Sequence, residues 1–282
     1  MTTIETFDND FENKWCPGCG NFPILLAMKQ AFADQGLSPR DILLVSGIGQ
    51  AGKTPHFLHC NMLHALHGRA LPAATGAKIA NSDLNIIVNS GDGDCYGEGG
   101  NHFLSAIRRN IDITLIVHNN MVYGLTKGQA SPTTVMGMPT PIQPGGTMSS
   151  PFNPLTLALT QGAGFVARGF SGKTVQLAQL IAQAMAHKGF SMIDVLQPCV
   201  SFNRLNTLRW YKERVYDLEN TDHDTTSLAM AMERSHEFEE KIPLGILFQK
   251  ETPTFHDRVE HLSGPPLISH DYDRDAVAKA LF

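Results

Sequence analysis

An aspartate and an asparagine, each placed just after a short β-branched run, offer this chain a site for a hard cation. The first run, Leu84-Asn85-Ile86-Ile87-Val88-Asn89, ends in Ser90-Gly91 and delivers Asp92. The second, Ile113-Thr114-Leu115-Ile116-Val117, delivers Asn119-Asn120. A carboxylate and an amide at neighbouring strand ends are oxygen ligands of the kind magnesium takes, and magnesium commonly shares its shell with phosphate oxygens. Asp92 and Asn120 are therefore candidate ligands, and the backbone carbonyl of Val122 completes the protein's share. Gly91, Gly93, Gly97 and Gly124 let the backbone come close to a diphosphate. The other reading of a bare Gly-Asp-Gly is a glycine turn closing an ordinary βα unit. A second set of residues is soft. Cys16-Pro17-Gly18-Cys19 puts two thiols in one loop, and Cys60, Cys95 and Cys199 bring the count to five. An odd count with a CxxC and no secretion signal points to metal, cluster or redox chemistry rather than a disulfide framework.

These residues need a parallel sheet to bring them together. Runs bounded by turn residues read as buried strands, and a helix from about Gly99 to Arg109 joins the two above into a βαβ unit. Ligands bind such sheets at the carboxyl ends of the strands, where loop amides and helix N-termini converge. The same alternation extends in both directions. Before the unit come a helix over Pro23 to Gln35, capped by Asn21, and a strand over Asp41 to Val45. After it come a helix at Leu155 to Gln161, a strand at Phe165 to Ala167, a helix at Thr174 to His187 and a strand at Met192 to Leu196 that delivers Pro198-Cys199. The fold class expected is α/β, an open parallel sheet with helices on both faces. His56 to Asn81 has helical apolar spacing, and Ser131 to Pro154, rich in Pro, Gly, Met and Thr, reads as a lid or docking loop. Residues 1–210 form the expected binding domain. Residues 211–282 form a charged extension with a helix over Thr226 to Glu239, and Ile242-Pro243-Leu244-Gly245 begins a segment expected to pack on a partner.

Two further patterns carry possible chemistry. Gly47-Ile48-Gly49-Gln50-Ala51-Gly52-Lys53-Thr54 satisfies the spacing of a P-loop directly after a strand, although Pro55 follows at once. His59, His64, His67 and Arg69 cluster in one stretch, but without the spacing of a zinc-binding helix. The chain has 282 residues and a net charge of -5, without a basic patch carrying interleaved aromatics, so nucleic acid is not an expected partner. No apolar run has membrane length and Met1 to Asn13 lacks the apolar core of a signal peptide, so a cytoplasmic protein is expected.

The Gly91-Asp92-Gly93 turn, the stretch Asp94 to His118 and Asn119-Asn120 together resemble the thiamin diphosphate motif. The longer string GDGD.YG.GGNH, AIRRNIDIT and YGLTKGQ.SPT, with Trp15 to Gly20, Ser46-Gly47-Ile48-Gly49 and Pro198-Cys199, resembles the β subunit of a 2-oxoacid:ferredoxin oxidoreductase over roughly the first two hundred residues. The resemblance implies a thiamin-diphosphate-binding fold with Mg2+ on Asp92, Asn120 and Val122, and cofactor contacts from Gly91, Asp92, Gly93, Asp94, Asn120, Tyr123, Gly124 and Leu125. It implies that His64 and His67 lie near the reactive ring of the cofactor and that Lys53 and Lys127 face the substrate tail. Gly124-Leu125-Thr126-Lys127 resembles members that accept 2-oxoglutarate. It further implies reversible oxidative decarboxylation with coenzyme A as acyl acceptor, and electrons passing singly through a [4Fe–4S] cluster to ferredoxin. The family draws a glutamate from a second domain, so an α subunit must supply it here. Cys16, Cys19 and Cys199 match three cluster cysteines, while Gln50 stands where the fourth belongs, and Cys60 is the candidate to replace it. The competing functions are a thiamin-dependent decarboxylase or synthase without electron transfer, a P-loop ATPase using Lys53, and a non-catalytic electron-transfer protein.

Overall fold

The computed structural model describes residues 2–271 and 273–281. Its strands are β1 Ile42–Ser46, β2 Asn61–His64, β3 Asn85–Gly91, β4 Thr114–Asn119, β5 Val122–Tyr123, β6 Gln129–Ala130, β7 Phe165–Phe170, β8 Ser191–Leu196, β9 Val215–Asp217 and β10 Ile242–Gln249. Its helices are α1 Asn21–Asp34, α2 Ala70–Ala80, α3 Gly100–Arg109, α4 Pro154–Thr160, α5 Thr174–Ala186, α6 Leu208–Lys212, α7 Leu228–Ser235 and α8 Arg274–Leu281.

Eight strands form one sheet in the order β2-β1-β3-β4-β8-β7-β10-β9. From β2 to β7 every pairing is parallel, whereas β10 runs antiparallel to β7 and carries β9 alongside. The expected open parallel sheet is present, with one edge reversed. Its strands are apolar on both faces because both are covered. Ile86, Val88, Leu115 and Val117 pack with α2, α3 and α4 on one face, while Ile87, Ile116, Ile193 and Val195 pack with α1 and α5 on the other. The βαβ unit at the centre is specified locally. α3 buries Phe103, Ala106 and Ile107 at helical spacing. It stops at Asn110, whose left-handed backbone (φ 49) ends the helix.

Two expectations are corrected. His56 to Asn81 is not one helix: Ala51–Phe57 is a 3₁₀ turn, Asn61–His64 is the edge strand β2 paired with β1, and only Ala70–Ala80 is α-helical. Apolar residues spaced for a helix are here divided between a strand and a helix by the Gly68 turn. The second correction concerns Ile242 onward. This segment is β10 in the chain's own sheet, with Ile242, Leu244 and Leu247 fully buried, rather than a surface awaiting a partner. Ile242-Pro243-Leu244-Gly245-Ile246-Leu247-Phe248 is the near-continuous apolar run that a doubly covered strand requires. The expected extension also takes in Tyr272 and Phe282, which lie outside the described residues. Among the described residues, no helix is long and apolar enough to cross a membrane.

Candidate functional site

Asp92 follows β3 directly and is 1% exposed. The hydroxyls of Ser131 and Thr133 donate to its Oδ2 at 2.5 and 2.7 Å. The loop expected to act as a lid therefore begins as a clamp on this carboxylate. Burial, opposed by the two hydroxyl bonds and reinforced by nearby Asp194, pushes the carboxyl up to about 6. A buried carboxylate without a positive neighbour is unfavourable until a cation neutralises it.

Asn120 and Val122 follow β4, the parallel neighbour of β3 in the sheet. The chain reverses there, with Asn120 Oδ1 accepting the Val122 N–H at 3.0 Å, so both residues lie in one tight turn. The ring of Tyr123 lies so close to Gly93 that a Cβ there would sit 2.2 Å from its Cε1. Its hydroxyl donates to Glu98 at 3.1 Å, and burial and Glu98 push the phenol up, so it remains protonated. A carboxylate, an amide and a backbone carbonyl make an all-oxygen set suited to magnesium with phosphate and water in the remaining positions. Among the described residues, no group of three or more His, Cys, Asp or Glu side chains is arranged to hold a metal alone.

Asp94, expected to contact a cofactor, is fully engaged within the protein. It accepts the Ile48 N–H at 3.0 Å, the Gly68 N–H at 2.8 Å and the Ser90 hydroxyl, and it pairs with His67 Nδ1 at 2.9 Å. A Cβ on Gly47 would lie 1.7 Å from its Oδ2. Asp94 thus fixes the loop after β1 and orients His67, whose Nε2 is left for other chemistry. His64 is exposed on β2, with Nδ1 2.8 Å from the Ser46 hydroxyl. His59 pairs separately with the Thr6 carbonyl at 3.2 Å, so the three histidines do not converge as a zinc site would require. Lys53 is half-buried in the 3₁₀ turn. No α-helix begins there, and the Thr54 hydroxyl is buried, donating to the Ala51 carbonyl and accepting from Asn89. The P-loop reading is excluded by that geometry. Leu125 and Lys127 are exposed, and Lys127 has a left-handed backbone (φ 71).

The cysteines separate into two places. Burial pushes the Cys19 thiol up, and Cys199 and Cys16 are close enough to push it in the same direction. Cys19 Sγ accepts from the Gln197 amide at 3.5 Å, and Cys16 Sγ from the Ser201 hydroxyl at 3.3 Å. A largely apolar cavity lined by Cys19, Cys199, Phe22 and Pro23 adjoins them. Cys60 is elsewhere. It precedes Asn61, which pairs with Leu43 at the start of β1, whereas Cys199 follows the far end of β8. Burial pushes its thiol up to about 12, and no other cysteine acts on it. The expectation that Cys60 replaces the missing fourth ligand is therefore corrected. Gln50 does lie at the cysteine edge, its carbonyl accepting the Trp15 indole N–H at 2.8 Å.

The sequence did not mark the polar network behind Asp92. Thr133 Oγ1 is also within 2.8 Å of Asn119 Oδ1, the Asn119 amide donates to Asp194 at 3.1 and 3.2 Å, and the Tyr96 hydroxyl donates to the same carboxylate at 2.8 Å. Position alone, a polar residue within an apolar strand (Asp194 in β8), was the available signal. His118 lies between Asn21 and Asn89, tying α1 and the cysteine loop to β3, and burial pushes it down to about 3, so it stays neutral.

The raised carboxyl of Asp92 sets a pH dependence. The folded chain binds this proton more tightly than the unfolded one, so the associated stability is fully present below the ordinary 3.8 and is lost as pH rises through about 6. A divalent ion needs the charged form, so its affinity should fall about tenfold per unit below that pH and level off above it. Thermal melts with and without Mg2+ check this: the stabilisation by Mg2+ should widen from roughly pH 5 to roughly pH 7, and a constant gap would exclude Asp92 as the ligand.

A family model described as thiamine pyrophosphate enzyme, C-terminal TPP binding domain, matches residues 47–195. A second, for the C-terminal part of the pyruvate ferredoxin oxidoreductase beta subunit, matches residues 199–264. The chain is 46% identical over 277 residues to 2-oxoacid:ferredoxin oxidoreductase subunit beta of Saccharolobus solfataricus, covering 92% of this chain and 90% of that one. It is 36% identical over 250 residues to 2-oxoglutarate synthase subunit KorB of Methanocaldococcus jannaschii, covering 88% and 92%. Among solved structures, a 2-oxoglutarate:ferredoxin oxidoreductase from Magnetococcus marinus with 2-oxoglutarate, coenzyme A and succinyl-CoA bound matches with a TM-score of 0.92 and 36% identity, over 99% of this chain and 96% of that chain.

Proposed function

Because this chain belongs to the β subunits of the 2-oxoacid:ferredoxin oxidoreductases and carries their thiamin-diphosphate-binding domain, we propose that Asp92, Asn120 and the Val122 carbonyl hold Mg2+ against the cofactor's diphosphate. The observation that supports this most directly is the Asp92 carboxylate, buried after β3 with the Ser131 and Thr133 hydroxyls donating to one of its oxygens, while the Asn120 turn follows the neighbouring strand β4. Cys16, Cys19 and Cys199 supply three thiolates to an iron–sulfur cluster, the soft ligands such iron requires. When bound, thiamin diphosphate supplies the carbon nucleophile that allows a 2-oxoacid to lose carbon dioxide, and the cluster relays electrons one at a time.

The chain's own residues bind, orient and exchange protons. Ser131 and Thr133 fix the Asp92 carboxylate so that the diphosphate end is anchored. Asp94 holds His67 by Nδ1, leaving Nε2 to exchange a proton with the substrate oxygen, and His64 serves from β2 beside it. This edge is covered by an α subunit, which supplies the glutamate that the aminopyrimidine needs. Coenzyme A accepts the acyl group, and ferredoxin accepts the electrons. The substrate is 2-oxoglutarate in preference to pyruvate, because Lys53 and Lys127 give a distal carboxylate positive partners once it is desolvated.

Ferredoxin reduction by the assembled enzyme, with coenzyme A and each 2-oxoacid in turn, tests this reading. The kcat/KM ratio should favour 2-oxoglutarate, and Lys127→Ala should lower the ratio by about tenfold or more, the loss expected when one partner of a desolvated charge pair is removed. Equal kcat/KM for the two acids, or an unchanged ratio in the variant, would remove Lys127 from substrate selection.

A further inference from the structure

Met121 stands in the chain between Asn120 and Val122, two of the three groups proposed to hold the ion, and its backbone is left-handed, with φ 59. Few residues other than glycine and asparagine adopt that conformation, and it persists only where the surroundings fix it. Here the surroundings do so unusually thoroughly. The Asn119 carbonyl accepts the Gln197 N–H at 2.9 Å, the Asn120 carbonyl accepts the Asn203 side-chain amide at 3.2 Å, and the Met121 carbonyl accepts the Thr134 hydroxyl at 2.6 Å. Three consecutive carbonyls are thus tied to two other segments of chain, the loop after β8 and the turn at Thr134. Asn203 is itself fixed, its Oδ1 accepting the N–H groups of Leu205 and Asn206 at 3.2 and 3.0 Å. The Met121 side chain is 2% exposed and packs with Phe170, Leu196 and Tyr211.

We propose that Met121 is a positioning residue for the metal. Its left-handed backbone folds the chain back so that the Asn120 side chain and Val122 lie side by side, and Thr134, Asn203 and Gln197 hold that conformation before any ion arrives. The turn is then preorganised, and binding requires no rearrangement of the backbone. This inference rests on the thiamin diphosphate and magnesium reading given above. If the strained turn served only the packing of Met121, any apolar side chain of similar size would do equally well.

Leucine and isoleucine at position 121 separate the two, since both conserve the apolar volume but only isoleucine is β-branched at Cβ and resists a positive φ. The measurement is thiamin diphosphate binding to the cofactor-stripped, assembled enzyme by equilibrium dialysis, as a function of Mg2+ concentration. Melting of the same samples reports on folding. Met121→Leu should stay within about threefold of the wild type, and Met121→Ile should raise the Mg2+ needed for half-saturation by about tenfold or more. An equal shift in both variants, or a shift in neither, overturns the proposal. Should Met121→Ile fail to assemble, Thr134→Val against Thr134→Ser decides the matter: the valine variant should lose Mg2+ affinity and the serine variant, which retains the hydroxyl, should keep it. Equal behaviour of that pair likewise overturns it. Asp92→Ala is measured alongside, because undiminished binding in that variant would reject the underlying site rather than the role of Met121.

Discussion

Replacing Asp92 with alanine should leave the assembled enzyme without thiamin diphosphate. In the proposed site Asp92 is the one carboxylate assigned to the ion among the described residues, and breaking a buried charge pair costs about 3–5 kcal/mol, or roughly two to four orders of magnitude in affinity. Denaturing the purified complex and assaying thiamin, magnesium and iron together reads this out. The wild type should contain all three, whereas Asp92→Ala should keep iron and lose both thiamin and magnesium. Asp92→Asn refines the result, since an amide still accepts the Ser131 and Thr133 hydroxyls but carries no charge. At pH 8 the cofactor-free Asp92→Asn protein should melt at or above the wild-type temperature, because the unfavourable buried charge has gone. Loss of cofactor without loss of stability would mark a residue kept for function. Thiamin retained in Asp92→Ala would sink the site.

Cys19→Ser should abolish the iron content of the complex, and ferredoxin reduction should fall to background with it. Both Cys16 and Cys199 are close enough to Cys19 to act on its thiol, so under the proposed ligation losing Cys19 leaves two of three thiolates. Cys60→Ser should change neither measurement. Four strand-to-strand steps separate β2 from β8 in the sheet, which at about 4.8 Å each is about 19 Å. A thiolate must come within about 2.3 Å of its metal. Cys60 also precedes β2, at the end of the sheet where the parallel strands begin, whereas Cys199 follows β8, where they end. Iron analysis with EPR on the two variants decides this, and loss of cluster in Cys60→Ser would overturn the separation of that thiol from the iron.

The parts of the site that were legible in the sequence are those carried by local pattern. Apolar runs ending in a polar residue marked β3 and β4, and therefore marked Asp92 and Asn120 as neighbours. Apolar period alone could not assign the stretch from His56. A strand on the sheet edge with all four residues exposed leaves no alternation between buried and exposed positions for a strand pattern to show. Asp94 shows a different limit. It shares a motif with Asp92 and is two residues away, yet its oxygens are occupied by backbone amides, the Ser90 hydroxyl and His67. Which aspartate faces outward depends on loops after β1 and β2 that are distant in sequence. The network through Asp194 and Tyr96 was hidden for the same reason, as those residues are 98 positions apart. Ser131 and Thr133 lie in a segment whose composition reads as a lid or docking loop, and only tertiary contact shows them to be buried.

The reversed strand has a consequence for how the polypeptide emerges during synthesis. β7 is complete by Phe170, but the strand that covers its outer side comes only at Ile242–Gln249. While the ribosome makes the intervening residues, the Phe165–Phe170 backbone presents unpaired donors and acceptors, a template for any other nascent chain nearby. A product cut short before Ile242 would keep that template open permanently, which makes premature termination there a route to aggregation as well as to lost activity.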